Sequence, residues 1–138
     1  MTFVFPQDIL FKHCDPAGIV FFPRYFEMIN DCVEAFFGQE LGCSFVDIHK
    51  FGGIPTAEIS AKFSAPSRHG DRLEIRLKCT KIGNASVGLV FDAICGDELR
   101  FAAKSALVFV SKEGKPQRLP TALRAALETF RGDVVSDE

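Results

Sequence analysis

The stretch HCDPAGIVFFPRYFEMIND, residues 13–31, decides how this chain is read. Its first half is a loop, because Pro16 and Gly18 interrupt regular structure. Pro23 then carries the fixed φ that suits the first position of a helix. From there the apolar side chains Tyr25, Phe26, Met28, Ile29, Cys32, Val33, Phe36 and Phe37 recur at helical spacing, with Glu27, Asn30, Asp31 and Glu34 opposite. The spacing predicts a helix over 23–37, stopped at Gly38. So wide an apolar face needs a large surface to cover it.

Outward from that helix, the flanking sequence supplies the surface. Residues 2–12 predict a first strand. Beyond a short helical or irregular stretch ending at Gly52-Gly53, segments 54–64, 71–81, 85–95 and 98–110 alternate at period two. Ala57, Ile59, Ala61 and Phe63 share a face in the first segment, and Leu73, Ile75, Leu77 and Cys79 in the second. Val87, Leu89, Phe91 and Ala93 do so in the third, and Leu99, Phe101, Ala103, Leu107 and Phe109 in the fourth. These read as half-buried antiparallel strands, joined by tight turns at Gly83-Asn84 and Gly96-Asp97. A last helix is expected over 120–130, with Leu123, Leu127 and Phe130 inward, and a frayed tail over 132–138. The economical arrangement is one α+β domain over 1–131, a sheet curled around the long helix.

Composition narrows the function. The net charge is −2, with no basic stripe, which argues against a nucleic-acid partner. No apolar run approaches the ~18 residues of a membrane span. The opening MTFVFPQDIL has no basic run and no small-residue cleavage site, so a cytoplasmic protein is expected. The five cysteines, Cys14, Cys32, Cys43, Cys79 and Cys95, are odd in number with no Cys-x-x-Cys pair, which fits free thiols rather than a metal site. Fifteen Phe against one Tyr and no Trp put most aromatic bulk in core or pocket walls, without polar tips.

No Gly-x-Ser-x-Gly elbow, phosphate loop or His-Glu-x-x-His motif occurs. The chemistry is therefore sought at Asp15, between a strand and the buried helix. Pro16 stiffens its turn, and Ala17 and Gly18 leave it open to a ligand. Backbone N–H groups at the following helix start could receive a developing oxyanion. A plain turn-capping role for Asp15 accounts for the same spacing.

HCDPAGIVFFPRYFEMIND resembles the signature of the 4-hydroxybenzoyl-CoA thioesterase family, a hotdog-fold family. The likeness runs through Asp15-Pro16-Ala17-Gly18-Ile19-Val20, the pair Phe21-Phe22, Pro23 and Tyr25. SAPSRHGDRLEI, residues 64–75, is similar to the family pattern that ends in Gly-Asp. The resemblance implies a five-stranded antiparallel sheet wrapped around the long helix, and a homodimer or homotetramer built edge to edge. It implies Asp15 as catalytic aspartate, nucleophile or general base, and the Phe22 backbone N–H as the group that polarises the thioester carbonyl. Gly18, Phe21, Tyr25 and Asn30 are the candidate pocket residues. The implied substrate is an aromatic, 4-hydroxybenzoyl-like, or short-chain acyl-CoA, with no cofactor and no metal. Asn30 stands where the family has an acidic residue, and the turn Ile82–Ala85 has no cation for CoA phosphates, though Ser86 keeps the family's serine. Two other readings are a non-catalytic acyl-CoA-binding module and a thioesterase for acyl carrier protein, which would need a basic docking patch.

Overall fold

The computed structural model of the protein describes residues 1–132. Of the tail expected at 132–138, the described part is Gly132, which closes the last helix in the left-handed region at φ +98°. The rest lies outside the described residues.

The alternating segments form the sheet. Strands β1 (Phe3–Asp8), β3 (Thr56–Phe63), β4 (Arg72–Ile82), β5 (Ser86–Cys95) and β6 (Glu98–Val108) pair antiparallel in the order β1-β4-β5-β6-β3. Register places Leu77 opposite Phe91 and Phe91 opposite Ala103, so the buried residues of the three central strands make one apolar face. Helix α1 (Pro23–Ala35) lays Tyr25, Met28, Ile29, Cys32 and Val33 into the core that this face helps to form. Each such side chain contributes about 1.5–3 kcal/mol of burial. Helix α3 (Thr121–Arg131) adds Leu123, Leu127 and Phe130, and Phe130 meets Phe36 edge-on at 4.8 Å. The fold is the expected α+β sheet around a central helix. Among the described residues, no helix is long and apolar enough to cross a membrane.

Four expectations are corrected. The first strand ends at Asp8, not 12, because Ile9 N–H donates to Asp71 O (2.8 Å) and the chain then turns through a 3-10 turn at Phe11–His13. The central helix does not stop at Gly38. It widens into a π turn over Phe36–Glu40, where Leu41 N–H reaches Phe36 O (3.1 Å), and Gly42 at φ +68° ends it. The apolar face of β3 is only partly covered: Ala61 packs on the core, but Ile59 is 41% and Phe63 42% exposed, because β3 is an edge strand bonded only to β6. On β6, Leu99 is exposed and Ser105 takes a buried inner position.

Two short strands were not anticipated. After the small helix α2 (Phe45–Ile48), β2 (Gly52–Gly53) pairs with β7 (Val110–Ser111). A Cβ on Gly52 would collide with the Val110 carbonyl, so only glycine allows this approach.

Candidate active site

The loop before α1 is tied by its own backbone. His13 Nδ1 accepts the Leu10 N–H (2.8 Å), and His13 O accepts the Phe21 N–H (3.0 Å). Inside these ties, Asp15 N–H donates to Ile19 O (3.0 Å) and Gly18 N–H to Asp15 O (2.9 Å). The result is a tight turn with Asp first, Pro second and Gly fourth, the order such turns favour. Gly18 sits at φ +83°, which a Cβ would strain.

Asp15 therefore does cap its turn, since its Oδ1 accepts the Ala17 N–H at 2.9 Å. That contact uses one oxygen. Oδ2 has no protein partner among the described residues, and the side chain is half-buried. The carboxylate is thus oriented by one oxygen and available through the other.

His13 is buried, and its pKa is lowered by that burial and then by Lys12 and Arg24, against smaller opposing effects of Glu27 and Asp31. A neutral ring that accepts at Nδ1 carries its proton on Nε2. Through Nδ1 the ring ties the loop to Leu10. Its small polar cavity of about 180 Å³ shares no lining residue with the cavity described next.

Helix α1 begins without a side-chain cap. Phe22 is its N-cap and Pro23 has no N–H. Arg24 N–H is taken by Phe21 O (2.8 Å) and Tyr25 N–H by Phe22 O (3.0 Å). The Phe22 N–H has no protein acceptor among the described residues. It is an unspent donor at the positive end of a helix dipole.

Phe22 also lines a cavity of about 520 Å³, together with Ile19, Val20, Tyr25, Phe63 and the segment Ser64–Pro66. Its wall is aromatic. Phe63 stacks on Tyr25 (5.5 Å, 23°) and meets Phe22 at 5.9 Å and Phe26 at 6.2 Å, both edge-on. Tyr25 is 4% exposed and wedged between Phe63 and Phe101 (4.9 Å), yet its hydroxyl has no protein partner among the described residues. Two grooves of about 370 and 430 Å³ run over the outer sheet face near Ser60, Val90 and Lys104, away from the Asp15 loop.

The sequence matches the thioesterase-like superfamily over residues 9–127. The chain belongs to that superfamily. By family, it is a thioester hydrolase. Two relatives are 1,4-dihydroxy-2-naphthoyl-CoA hydrolases. That of Synechocystis is 29% identical over 82 residues, 58% of this chain and 59% of that protein. That of Nostoc punctiforme is 26% identical over 144 residues, 100% of this chain and 95% of that one. Among solved structures, the 1,4-dihydroxy-2-naphthoyl-CoA thioesterase of Synechocystis superposes with TM-score 0.85 at 23% identity, over 92% of this chain and 96% of that one. A gentisyl-coenzyme A thioesterase gives 0.83 at 24%, over 90% and 98%. The structural likeness establishes the hotdog fold.

Within this thioesterase, the expected site residues do not all converge. Phe22 and Tyr25 line the aromatic cavity, and Asp15 is bonded to its lining residue Ile19. Gly18 and Phe21 are exposed beside it, outside the lining, and Asn30 is exposed on α1. In the sequence Phe63 is only a residue of a predicted strand. Pairing with Phe101 brings it to the cavity, a contact that period-two spacing does not announce. The turn Ile82–Ala85 lacks its own cation, but Arg124 of α3 donates to the carbonyls of Gly83 and Asn84. Among the described residues, no group of His, Cys, Asp and Glu could hold a metal ion. Cys14 Sγ lies 3.8 Å from Leu10 O, and burial pushes the Cys32 thiol up to about 12.

Proposed function

We propose that the chain hydrolyses aromatic acyl-CoA thioesters, with Asp15 as the catalytic carboxylate and the Phe22 N–H as the oxyanion donor. The observation that supports this is an aromatic cavity lined by Phe22, whose N–H has no protein acceptor among the described residues, and by Ile19, which is hydrogen-bonded to Asp15, a carboxylate with one oxygen left without a protein partner among them. In one route Oδ2 attacks the acyl carbon, the C–S bond breaks, CoA thiolate leaves, and water then cleaves the mixed anhydride. In the other, Oδ2 takes a proton from water, which attacks the same carbon before the thiolate is expelled. Both yield free acid and CoA, and in both the carbonyl oxygen gains charge that the Phe22 N–H can stabilise. The relatives named above act on aromatic acyl-CoAs, and the Tyr25 hydroxyl offers a polar contact for an oxygen-bearing ring.

The test is steady-state hydrolysis of benzoyl-, hydroxybenzoyl-, naphthoyl- and butyryl-CoA, followed by thiol release. Aromatic substrates should have the highest kcat/KM. In Phe63→Ala, which removes a stacking ring, kcat/KM for aromatic substrates should fall about tenfold, near the upper value of an aromatic pair. Butyryl-CoA should be little affected. Equal losses on both classes would rule out aromatic selection by this cavity, and no turnover by the wild type would leave the binding-module reading.

The working unit is proposed to be a homodimer joined along β3. This eight-residue edge strand has one unpaired side, a liability that a second copy would remove. Its exposed Ile59 and Phe63 would be covered in the same contact. Sedimentation velocity should find a wild-type dimer, and Ile59→Glu should shift it to monomer with loss of activity. A fully active wild-type monomer would refute the shared assembly.

A further inference from the structure

We propose that Arg100 is a positioning residue of the active site: a β-bulge frees it to clamp the segment 64–71, which walls the cavity and holds the Asp15 turn. This rests on the site proposed above. In the β5–β6 ladder Ala93 pairs with Phe101 and Ile94 with Leu99, so Arg100 is the extra residue with no partner across. A bulge re-aims both main chain and side chain at that point. Arg100 O accepts the N–H groups of Ser64 (2.9 Å) and Ala65 (3.3 Å) at the start of the segment. Its Nη1 reaches Pro66 O (3.2 Å) and Ser67 Oγ (3.1 Å) within the segment and Asp71 Oδ2 (2.7 Å) at the far end. Nε donates to Glu98 Oε1 at 2.7 Å. One residue thus grips the segment at both ends, with its side chain only 12% exposed.

The grip is passed on to the chemistry. Ser64, Ala65 and Pro66 line the aromatic cavity. Ser67, fully buried, accepts the Val20 N–H on its carbonyl (2.9 Å). Val20 bridges Cys14, and its neighbour Ile19 accepts the Asp15 N–H. Arg100 is therefore linked to Asp15 by hydrogen bonds through Ser67 and the Ile19–Val20 backbone, and lies outside the cavity lining. Asp71 adds a brace, accepting the Arg68 N–H on the same Oδ2 (2.9 Å). Its pKa is held below the ordinary carboxylate value, first by the Arg100 hydrogen bond.

The test compares Arg100→Met, Arg100→Lys and Asp71→Asn with wild type, at a temperature where all are folded. Displacing a reacting group by about 1 Å can cost roughly 10²-fold. Arg100→Met should lose ~10- to 100-fold in kcat, with a smaller change in KM. Arg100→Lys, which lacks the guanidinium fork, should fall between, and Asp71→Asn should resemble Arg100→Met. Hydrogen exchange at the Val20 amide should accelerate in Arg100→Met while the Leu77 amide stays protected. Variants that lose thermal stability but keep wild-type kcat and Val20 exchange would overturn the inference. Absence of wild-type turnover on every acyl-CoA would instead defeat the proposed function, and Val20 exchange would still read the clamp.

Discussion

Asp15→Asn should lower kcat by ~10²–10⁴, the range of a positioned acid–base group, and leave the thermal midpoint nearly unchanged. The amide keeps an oxygen for the Ala17 N–H, so the contact that orients this side chain survives. Asn is also well accepted as the first residue of such a turn. What is lost is the negative charge, and with it nucleophilicity and basicity at the second oxygen. KM should change little, because the cavity lining does not include Asp15. Steady-state kinetics on the aromatic acyl-CoA that the wild type prefers, with circular dichroism melts beside them, provide the check. Wild-type turnover in the variant would remove Asp15 from the mechanism. Rapid quench with mass spectrometry separates the two routes, since only nucleophilic attack leaves an acyl group on Asp15.

Phe36→Ala should cost about 3–5 kcal/mol of stability, as large aromatic truncations in cores do. Phe36 is wholly buried where three elements meet: Phe3 of β1 at 5.6 Å, Phe37 at 5.7 Å and Phe130 of α3 at 4.8 Å. Removing the ring strips partners from all three and leaves a hole that a β-sheet on one side and a helix on the other cannot close. Phe51→Ala, at a side chain 70% exposed, should shift stability by no more than about 0.5 kcal/mol. Urea unfolding of both variants tests the contrast. Equal midpoints would contradict the packing described here.

The central strands were legible because each puts one face on a single covering layer. Alternation in β4 at Leu73, Ile75, Leu77 and Cys79 coincides with alternate burial along the strand. In β3 the same alternation is present but Ile59 and Phe63 stay more than a third exposed, because α1 reaches only the Phe63 end of that edge strand. Periodicity reports which residues can share a face, not whether that face is covered. The helix end differs from its sequence signal for a related reason: Gly38 is a stop signal for an α-helix, yet a π turn carries it without needing a positive φ there.

The Asp15 turn followed from sequence alone, since Asp, Pro and Gly act on their immediate neighbours, and those contacts lie within four residues. The apolar stripe of α1 likewise follows from a repeat that any window of the chain displays. Tertiary structure alone decided what surrounds that turn. Phe63 becomes a cavity wall through its pairing with Phe101, and Arg100 becomes a clamp through the register slip opposite Ala93 and Ile94. In the sequence Arg100 is one more charge on a strand, because the acceptors that define it, from Pro66 to Asp71, are brought to it only when the sheet closes.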